Sequence, residues 1–260
     1  MKRIGIVTGA SSGMGRDFAL ALAQKYASEK DTADEIWLVA RREAKLAELV
    51  PELALPARMF ALDLTAPGAI DGIAAALEAE KTDVRFLCST AGYGKFALLE
   101  ETERTDAAGI IDLNCRVLIE LTSAVLPYMG SGSAIINLGS LSSFQPVPYM
   151  AAYGASKAMV LSLSRALGVE LRPRGIHVMC VCPGWVQTEF FDRAVSDNGA
   201  VTNYNKLWTS GEVVEKAMRD LSRKKPVSIL GLGVRSQVRL VKLLPHGLVM
   251  KLWCRQQGHK

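Results

Sequence analysis

Residues 4–15 read Ile-Gly-Ile-Val-Thr-Gly-Ala-Ser-Ser-Gly-Met-Gly, and this stretch decides the fold that we expect for the chain. Its first four residues are apolar or small, which suits a strand that is buried on both faces. Gly9, Gly13 and Gly15 follow, and residues 16–26 then repeat apolar side chains at helical spacing. Glycines have no Cβ, so the backbone can approach a pyrophosphate, and the free N–H groups of a helix start face its charge. A strand, a glycine turn and a helix in this order predict a dinucleotide-binding unit.

Strand and helix patterns alternate along the rest of the chain. The predicted strands are residues 3–7, 35–40, 57–61, 84–88, 134–138, 177–182 and 227–230. The predicted helices are residues 15–28, 43–50, 67–80, 102–128, 153–171 and 211–223. Such alternation is typical of a parallel sheet with helices on both faces. We therefore expect an α/β fold with a single doubly wound, Rossmann-type sheet over residues 1–232 and a C-terminal helical extension over residues 233–260.

The composition is that of an ordinary globular protein, with 49% hydrophobic and 22% charged residues in a chain of 260. No apolar run approaches the ~20 residues that a membrane-spanning helix needs. Lys2 and Arg3 precede an apolar stretch that is too short for a signal peptide. We expect a cytoplasmic protein.

The cysteines and histidines show no spacing typical of a metal or redox site. They are Cys88, Cys115, Cys180, Cys182, Cys254, His177, His246 and His259. Buried thiols of a cytosolic protein are the simpler interpretation, and we expect no metal site.

The net charge of +5 is unevenly distributed. Residues 219–260 contain ten lysines and arginines and a single acid, a net charge of +9, whereas the rest of the chain carries −4. If residues 234–244 are helical, their valines lie on one face and their cations on another. Three interpretations of residues 233–260 remain open: a lid or pocket wall, a subunit contact, or an element at a membrane surface. Packing on the protein itself or on a sister subunit is the first choice, and we expect no nucleic-acid partner.

The motif Thr8-Gly9-x-x-x-Gly13-x-Gly15 resembles that of the short-chain dehydrogenase/reductase family, and the resemblance extends to about residue 230. It implies that the turn binds a nicotinamide dinucleotide. The residues implied in this turn are Gly9, Ser11, Ser12, Gly13, Met14 and Gly15.

After the third predicted strand the family places an aspartate that bonds the adenine, here Asp63 followed by Leu64. Capping of the next helix is an almost equal alternative for Asp63. Ser89-Thr90-Ala91-Gly92 stands where the family usually has Asn-Asn-Ala-Gly, so Ala91 and Gly92 still permit close approach to the cofactor while the two asparagine side chains are missing.

The end of the second predicted strand indicates which cofactor is bound. A free ribose 2′-hydroxyl is usually held by an acid at this place, but the sequence has Ala40 followed by Arg41 and Arg42. An arginine can pair with a 2′-phosphate through charge-assisted hydrogen bonds. The resemblance makes Arg41 the phosphate-binding residue, with Ser11, Ser12 and Arg42 as helpers, although Arg42 can equally be a solvated turn residue. We expect NADP (NADPH) as the cofactor.

Four residues carry the predicted chemistry. Tyr153 and Lys157 lie four residues apart, hence on one helix face, where a fixed cation favours the phenolate. The resemblance implies that Lys157 also bonds the nicotinamide ribose, that Ser140 bonds the substrate oxygen, and that Asn114 holds a water linking Lys157 to solvent. An exposed helical asparagine without function is the alternative for Asn114. The resemblance further implies that Pro183, Gly184, Val186 and Thr188 hold the nicotinamide carboxamide.

The segments around the nicotinamide are expected to form an apolar substrate lining. The candidates are Tyr93, Phe96, Leu141, Gln145, Pro146, Met150, Trp185, Phe190, Phe191, Tyr204 and Trp208. We therefore expect an oxidoreductase that interconverts a small apolar ketone or aldehyde and its alcohol, assembled as a homodimer or homotetramer. An NADP-binding sensor or scaffold without significant catalysis is the alternative.

Overall fold

The computed structural model describes residues 1–28, 32–195 and 199–259. Its centre is a sheet of seven parallel strands in the order β3-β2-β1-β4-β5-β6-β9, and a separate parallel pair joins β7 to β8. The strands are β1 Lys2–Thr8, β2 Glu35–Ala40, β3 Ala57–Ala61, β4 Thr82–Ser89, β5 Ala134–Leu138, β6 His177–Val181, β7 Trp185–Gln187, β8 Leu207–Thr209 and β9 Val227–Ser228. The α/β fold predicted from the sequence is confirmed.

Helices cover both faces of the sheet. They are α1 Gly13–Ser28, α2 Glu43–Leu49, α3 Ala69–Ala79, α4 Arg104–Ile111, α5 Val117–Val125, α6 Ala151–Glu170, α7 Phe190–Ala194, α8 Ser210–Ser222, α9 Leu232–Val241 and α10 His246–Gln256. Successive residues of a strand point to opposite faces. In β2, therefore, Leu38 packs in the core layer that contains α1, whereas Trp37 and Val39 pack in the layer that contains α3 and α5.

The strand order changes direction at β1, and this reversal determines where a ligand-binding site is expected. In β1, Val7 pairs with Leu38 of β2 on one side and with Cys88 of β4 on the other. The chain therefore runs outward to β3 and then returns across β1 to β4. The crevice beyond the carboxyl ends of two strands at such a reversal is where ligands bind in open α/β sheets.

Two predicted elements differ from the observed ones. Residues 102–128 are not one helix, because a π-helical turn, Asp112–Arg116, separates α4 from α5. The strand predicted over residues 227–230 is shorter in the structure, since only its first two residues pair with β6. The Ile229 carbonyl accepts a hydrogen bond from Arg235 Nε at 3.0 Å, and Gly231 then turns the chain at a φ of 90° into α9.

The extension after residue 232 folds as α9 and α10 and contacts the rest of the chain. Val238, Val241 and Val249 are buried. Trp253 Nε1 donates a hydrogen bond to the Pro148 carbonyl at 3.0 Å, and the rings of Tyr149 and His259 stack with their centres 3.8 Å apart. Among the described residues, no helix is both long and apolar enough to cross a bilayer. The division into residues 1–232 and 233–260 stays a prediction.

Candidate active site

The glycine turn between β1 and α1 lies at the reversal point and leaves no room for side chains. Gly9 has a φ of 69°, which an L side chain rarely adopts, and its N–H donates to the Val39 carbonyl at 2.8 Å. A methyl group on Gly15 would clash with the Gly9 carbonyl. The backbone of the turn therefore stays open to a ligand, and the start of α1 directs its free N–H groups towards that space.

Thr8 and Thr90 form hydrogen bonds beside the segment where the family usually has two asparagines. Thr8 Oγ1 accepts hydrogen bonds from the N–H groups of Thr90, at 3.1 Å, and Ala91, at 3.2 Å. The Thr90 hydroxyl in turn donates to the Thr8 carbonyl. These bonds join the ends of β1 and β4 and set Ala91 and Gly92 along the wall of the cleft.

The predicted cofactor residues of the first half of the chain line one continuous cleft. They are Gly9, Ser11, Ser12, Gly13, Met14, Gly15, Arg41, Arg42, Asp63, Leu64, Ala91 and Gly92. The Arg41 side chain is 65% exposed and lies 3.9 Å from Asp63, so it is free to pair with a further anion. Arg42 is already engaged, because it donates to Ser11 Oγ at 3.1 Å and pairs with Glu189 at 2.8 Å.

Asp63 caps its own turn. Its carboxylate accepts from the N–H of Thr65 at 2.9 Å and from the Thr65 hydroxyl at 2.7 Å. These hydrogen bonds, ahead of the charges of Arg41 and Arg193, lower the pKa of Asp63. The carboxylate does not cap α3, whose N-cap is Gly68. Asp63 nevertheless lines the cleft, where it can still bond an adenine.

Tyr153 and Lys157 lie on the buried face of α6 and line a second pocket, which shares part of its wall with the cleft. Lys157 Nζ donates to the Leu138 carbonyl, at the end of β5, at 2.8 Å. Burial lowers the pKa of Lys157 to about 8. Burial also raises the pKa of Tyr153 to about 12, and a hydrogen bond with Ser140 partly offsets the rise. The phenol is therefore protonated at neutral pH and can act as an acid.

Ser140 is fixed by a capping arrangement after β5. Its Oγ accepts from the Ser142 N–H at 3.2 Å, and its own N–H donates to Ser143 Oγ at 3.1 Å. Ser140 and Ser142 both line the pocket that contains Tyr153, whereas Ser143 bonds the backbone, and it is the Ser140 hydroxyl that bonds the Tyr153 phenol. This arrangement leaves Ser140 as the serine whose hydroxyl is placed beside the phenol.

Asn114 lies in the π-helical turn and is only 3% exposed. Its Oδ1 accepts from the Tyr93 N–H at 3.1 Å, and its Nδ2 donates to the Tyr93 carbonyl and to Ser156 Oγ, both at 3.0 Å. A small internal cavity is lined by Asn114 and Lys157 together with Ser89. The side chain therefore holds the loop after β4 against α6, and the cavity fits the predicted water between Asn114 and Lys157.

The remaining predicted residues lie on the opposite wall. Pro183, Gly184, Val186 and Thr188 all line the pocket that contains Tyr153. The Pro183 carbonyl accepts from the Leu141 N–H at 2.9 Å, which ties this wall to the Ser140 segment.

An apolar pocket opens from Tyr153 and Ser140 on the side away from the glycine turn. Eight of the predicted lining residues line it, namely Phe96, Leu141, Gln145, Met150, Trp185, Phe190, Phe191 and Trp208. Tyr93 lines the cofactor cleft instead. Pro146 is exposed, and Tyr204 packs behind Trp185 with ring centres 5.0 Å apart; neither reaches the pocket.

Several residues that the structure brings to the site have no role predicted from the sequence. The extension contributes Val234, Gln237, Val238, Val241, Trp253 and Gln256 to the pocket wall. Trp253 stacks near Trp185, with ring centres 6.4 Å apart. A single tryptophan in a basic amphipathic segment is the signal that could have indicated this contact. Glu189, which directly follows Thr188, is a further such residue.

Within residues 1–28, 32–195 and 199–259, no group of three or more His, Cys, Asp or Glu side chains could hold a metal ion.

Comparison with known proteins gives the family. The family model described as short chain dehydrogenase matches residues 3–199. A sulfoacetaldehyde reductase of Chromohalobacter salexigens is 35% identical over 203 residues, which cover 74% of this chain and 78% of that protein. An uncharacterized oxidoreductase of Staphylococcus epidermidis is 32% identical over 189 residues, 72% of this chain and 79% of the relative.

A solved structure is similar over almost the whole chain. It is a short-chain dehydrogenase from Sphingobium yanoikuyae in complex with NADPH, with a TM-score of 0.78, 28% identity, and coverage of 96% of this chain and 95% of that one. Its extent includes the C-terminal region that lies outside the family model. Sequence match, fold and the geometry around Tyr153 agree: the chain belongs to the short-chain dehydrogenase/reductase family, whose members are nicotinamide-dependent oxidoreductases of carbonyl and alcohol groups.

Proposed function

We propose that this enzyme is an NADP(H)-dependent reductase that interconverts an apolar ketone or aldehyde and its alcohol. The observation that carries the proposal is the position of Tyr153 and Ser140, buried where the cofactor cleft meets the apolar pocket. The two cavities share part of their lining, namely Met14, Thr90, Gly92, Leu138, Thr188 and Phe190. A substrate carbonyl beside the tyrosine would therefore face the space into which the cleft opens.

The residues fit a nicotinamide dinucleotide, because Gly9 and Gly15 keep side chains out of the turn and Arg41 presents an exposed cation. When bound, the nicotinamide supplies or accepts the hydride. In the reducing direction Tyr153 donates its phenolic proton to the substrate oxygen, and the Ser140 hydroxyl hydrogen-bonds the same oxygen. Lys157, which with a pKa of about 8 is mostly an ammonium at neutral pH, favours the phenolate that remains and so lowers the cost of the proton transfer. In the oxidising direction the phenolate takes the proton from the alcohol.

NADP(H) is favoured over NAD(H) by charge at the end of β2. Ala40 leaves no carboxylate for a ribose 2′-hydroxyl, and Arg41 and Arg42 both line the cleft. The NADPH complex of the Sphingobium protein supports the same choice. Asn114, Ser140, Tyr153 and Lys157 together favour catalysis over a sensor role, because a protein that only binds cofactor would not need a phenol buried beside an ammonium.

The substrate class follows from the pocket wall. Aromatic and aliphatic side chains from several segments surround the space in front of Tyr153, so burial of an apolar substrate body is the main source of affinity. The sulfoacetaldehyde reductase among the relatives supports reduction as one direction of the reaction. The family resemblance supports a cytoplasmic homodimer or homotetramer.

The test is a panel of apolar ketones, aldehydes and secondary alcohols assayed with NADPH, NADH, NADP and NAD. We expect turnover with at least one apolar carbonyl and a higher kcat/KM with NADPH than with NADH. Cofactor binding without turnover across the panel would support the sensor role and contradict the proposal.

A further inference from the structure

The helices α9 and α10 bury one face against the protein and leave a second face uncovered. Val238, Val241 and Val249 are 8% exposed or less. Besides Leu232, which begins α9 and is 80% exposed, four leucines of the same segment are exposed: Leu240 (56%), Leu243 (81%), Leu248 (44%) and Leu252 (53%). Leu240 and Leu243 are three residues apart, and Leu248 and Leu252 four, so each pair lies on one side of its helical turn. We call these four residues the outer leucines.

Cations flank the outer leucines. Arg239 and Lys242 adjoin Leu240 and Leu243, while Lys251 and Arg255 share a helix face with Leu248 and Leu252. All four cations are exposed. In the part of the chain that the structure describes, none of them forms an ion pair, although Lys242 Nζ lies over the ring of Phe144, 5.2 Å from its centre.

The sequence places no acid in this region. Asp220 is the last acid of the chain. It is buried and bound to Lys216, Lys225 and Ser228. The outer surface of the extension therefore combines exposed apolar side chains with a positive charge that its own residues do not neutralise.

The combination of exposed leucines and unpaired cations favours some binding partners over others. A second copy that used the same surface about a two-fold axis would place cations against cations, which is unfavourable. A nucleic acid would pair with the cations but leave the leucines in water. A bilayer with anionic lipids accepts both, because leucines enter the boundary of the acyl chains while lysines and arginines remain among the phosphates.

We propose that the outer leucines and their four flanking cations dock the enzyme on the surface of an anionic bilayer. The contact is peripheral and requires no spanning helix. The inner faces of the same helices line the substrate pocket through Val238 and Trp253. Because a helix is about 10 Å across, docking would hold the pocket close to the lipid, within reach of apolar carbonyl compounds dissolved in it.

The experiment is co-sedimentation of the full-length protein with vesicles of phosphatidylcholine alone or mixed with phosphatidylglycerol, at low and high salt. We expect binding to the mixed vesicles that weakens with salt. The double variant Leu240→Ser/Leu243→Ser should bind roughly tenfold more weakly. The double variant Arg239→Gln/Lys242→Gln should also lose roughly tenfold or more, at about fivefold per cation.

Matched controls come from the body of the protein. Leu99 is 58% exposed outside the extension, so Leu99→Ser should leave vesicle binding unchanged, as should Arg104→Gln/Arg172→Gln. The outer residues lie outside the pocket lining, so turnover of the best panel substrate verifies that each variant is folded.

Three outcomes would overturn the proposal. The protein could stay in the supernatant with mixed vesicles, or it could bind in a way that depends on salt but not on the leucines, which would indicate a general polyanion surface. Alternatively, light scattering could show a dimer that the leucine variants dissociate while vesicles bind neither form, which would identify a second copy as the occupant.

Discussion

At the scale of the residue, Tyr153 is the group whose protonation the proposed reaction uses. Its burial keeps the phenol protonated at neutral pH, with a pKa of about 12 in the absence of cofactor. That state is the one required to protonate a substrate oxygen, whereas oxidation of an alcohol requires the ammonium of Lys157 and the positive nicotinamide to lower the pKa again.

Replacement of Tyr153 tests this role. Tyr153→Phe keeps the ring in the pocket but removes the proton, so kcat should fall by at least about 10²-fold, while the Kd for NADPH, measured by fluorescence titration, stays within a few-fold of the parent value. Tyr128, whose hydroxyl donates to Glu78 at 2.7 Å on the surface, gives the control Tyr128→Phe, which should retain activity. A Tyr153→Phe enzyme with substantial turnover would exclude Tyr153 as the acid.

The lowered pKa of Lys157 predicts a pH dependence of stability. Its pKa is about 8 in the folded protein against an ordinary value of 10.5. Between these values the unfolded chain binds the proton and the folded protein does not, so the free energy of unfolding rises with pH over this window, by at most about 1.4 kcal/mol per pH unit. Urea unfolding of the cofactor-free parent and of Lys157→Met at pH 7 to 10 should show this rise in the parent relative to the variant. Parallel pH profiles for the two proteins would contradict it.

Arg41 and Arg42 differ in what they already bind, and this predicts different effects on cofactor choice. Arg41→Ala should weaken NADPH binding about ten- to a hundredfold, at roughly 1.5–3 kcal/mol for one charged partner, and leave NADH binding nearly unchanged. Arg42→Ala, the matched control, should have a smaller effect, because Arg42 is held by Ser11 and Glu189. Titration of each variant with NADPH and with NADH gives four Kd values, each of which is compared with that of the parent. A parent that prefers NADH would contradict the assignment.

At the scale of the element, the sequence predicted best where the pattern is local. The strands over residues 35–40, 57–61 and 134–138 lie where apolar and β-branched runs placed them. The π-helical turn at Asn114 could not be predicted, because its apolar spacing continues that of α4 and α5, and only the hydrogen bonds to Tyr93 and Ser156 distinguish it. Gly9, Ser140, Tyr153 and Lys157 could be identified from the sequence, because the spacing of their motifs does not depend on how the chain packs.

The role of α10 illustrates the opposite case. Gln257, at the end of α10, is 2% exposed. Its Oε1 accepts from the N–H groups of Thr202, at 2.9 Å, and Asn203, at 2.8 Å, and its Nε2 donates to the Asn203 carbonyl. A sequence pattern does not show that one amide joins two segments more than fifty residues apart.

Gln257 is therefore expected to hold the pocket wall in place. Gln257→Ala removes these hydrogen bonds, each worth about 0.5–1.5 kcal/mol, and should loosen α10. KM for the best substrate should rise several-fold with kcat little changed, because Tyr153 lies on α6 and Ser140 lies after β5, outside the helix that is loosened. Gln24, which is exposed on α1, gives the control Gln24→Ala, which should leave both constants unchanged. A drop in kcat at constant KM for Gln257→Ala would show that α10 acts on the chemistry instead.

At the scale of the whole molecule, the two cavities draw on different parts of the chain. The lining of the cofactor cleft ends at Arg193, whereas that of the substrate pocket continues to Gln256. The family model likewise ends at residue 199. The motifs that made the cofactor predictable all fall in the first part, and the pocket wall formed by α9 and α10 follows only from tertiary packing.

Removal of residues 233–260 should separate the two functions. A chain that ends at Leu232 keeps every cleft residue, so we expect NADPH binding within a few-fold of the parent. It loses Val238 and Trp253 from the pocket, so substrate turnover should fall, and the newly exposed apolar wall should bind a hydrophobic dye and promote aggregation. Loss of NADPH binding in a folded, truncated protein would contradict the separation. The same experiment tests the division at residue 232.

The position of these segments along the chain is also the order in which a ribosome makes them. The glycine turn, Ser140, Tyr153 and Lys157 are all synthesised before Trp253 and Gln257. A nascent chain thus carries its whole cofactor cleft and its acid before the wall of the pocket exists. The segments that complete the substrate pocket therefore follow those that carry the chemistry, so the enzyme gains its selectivity after its chemistry.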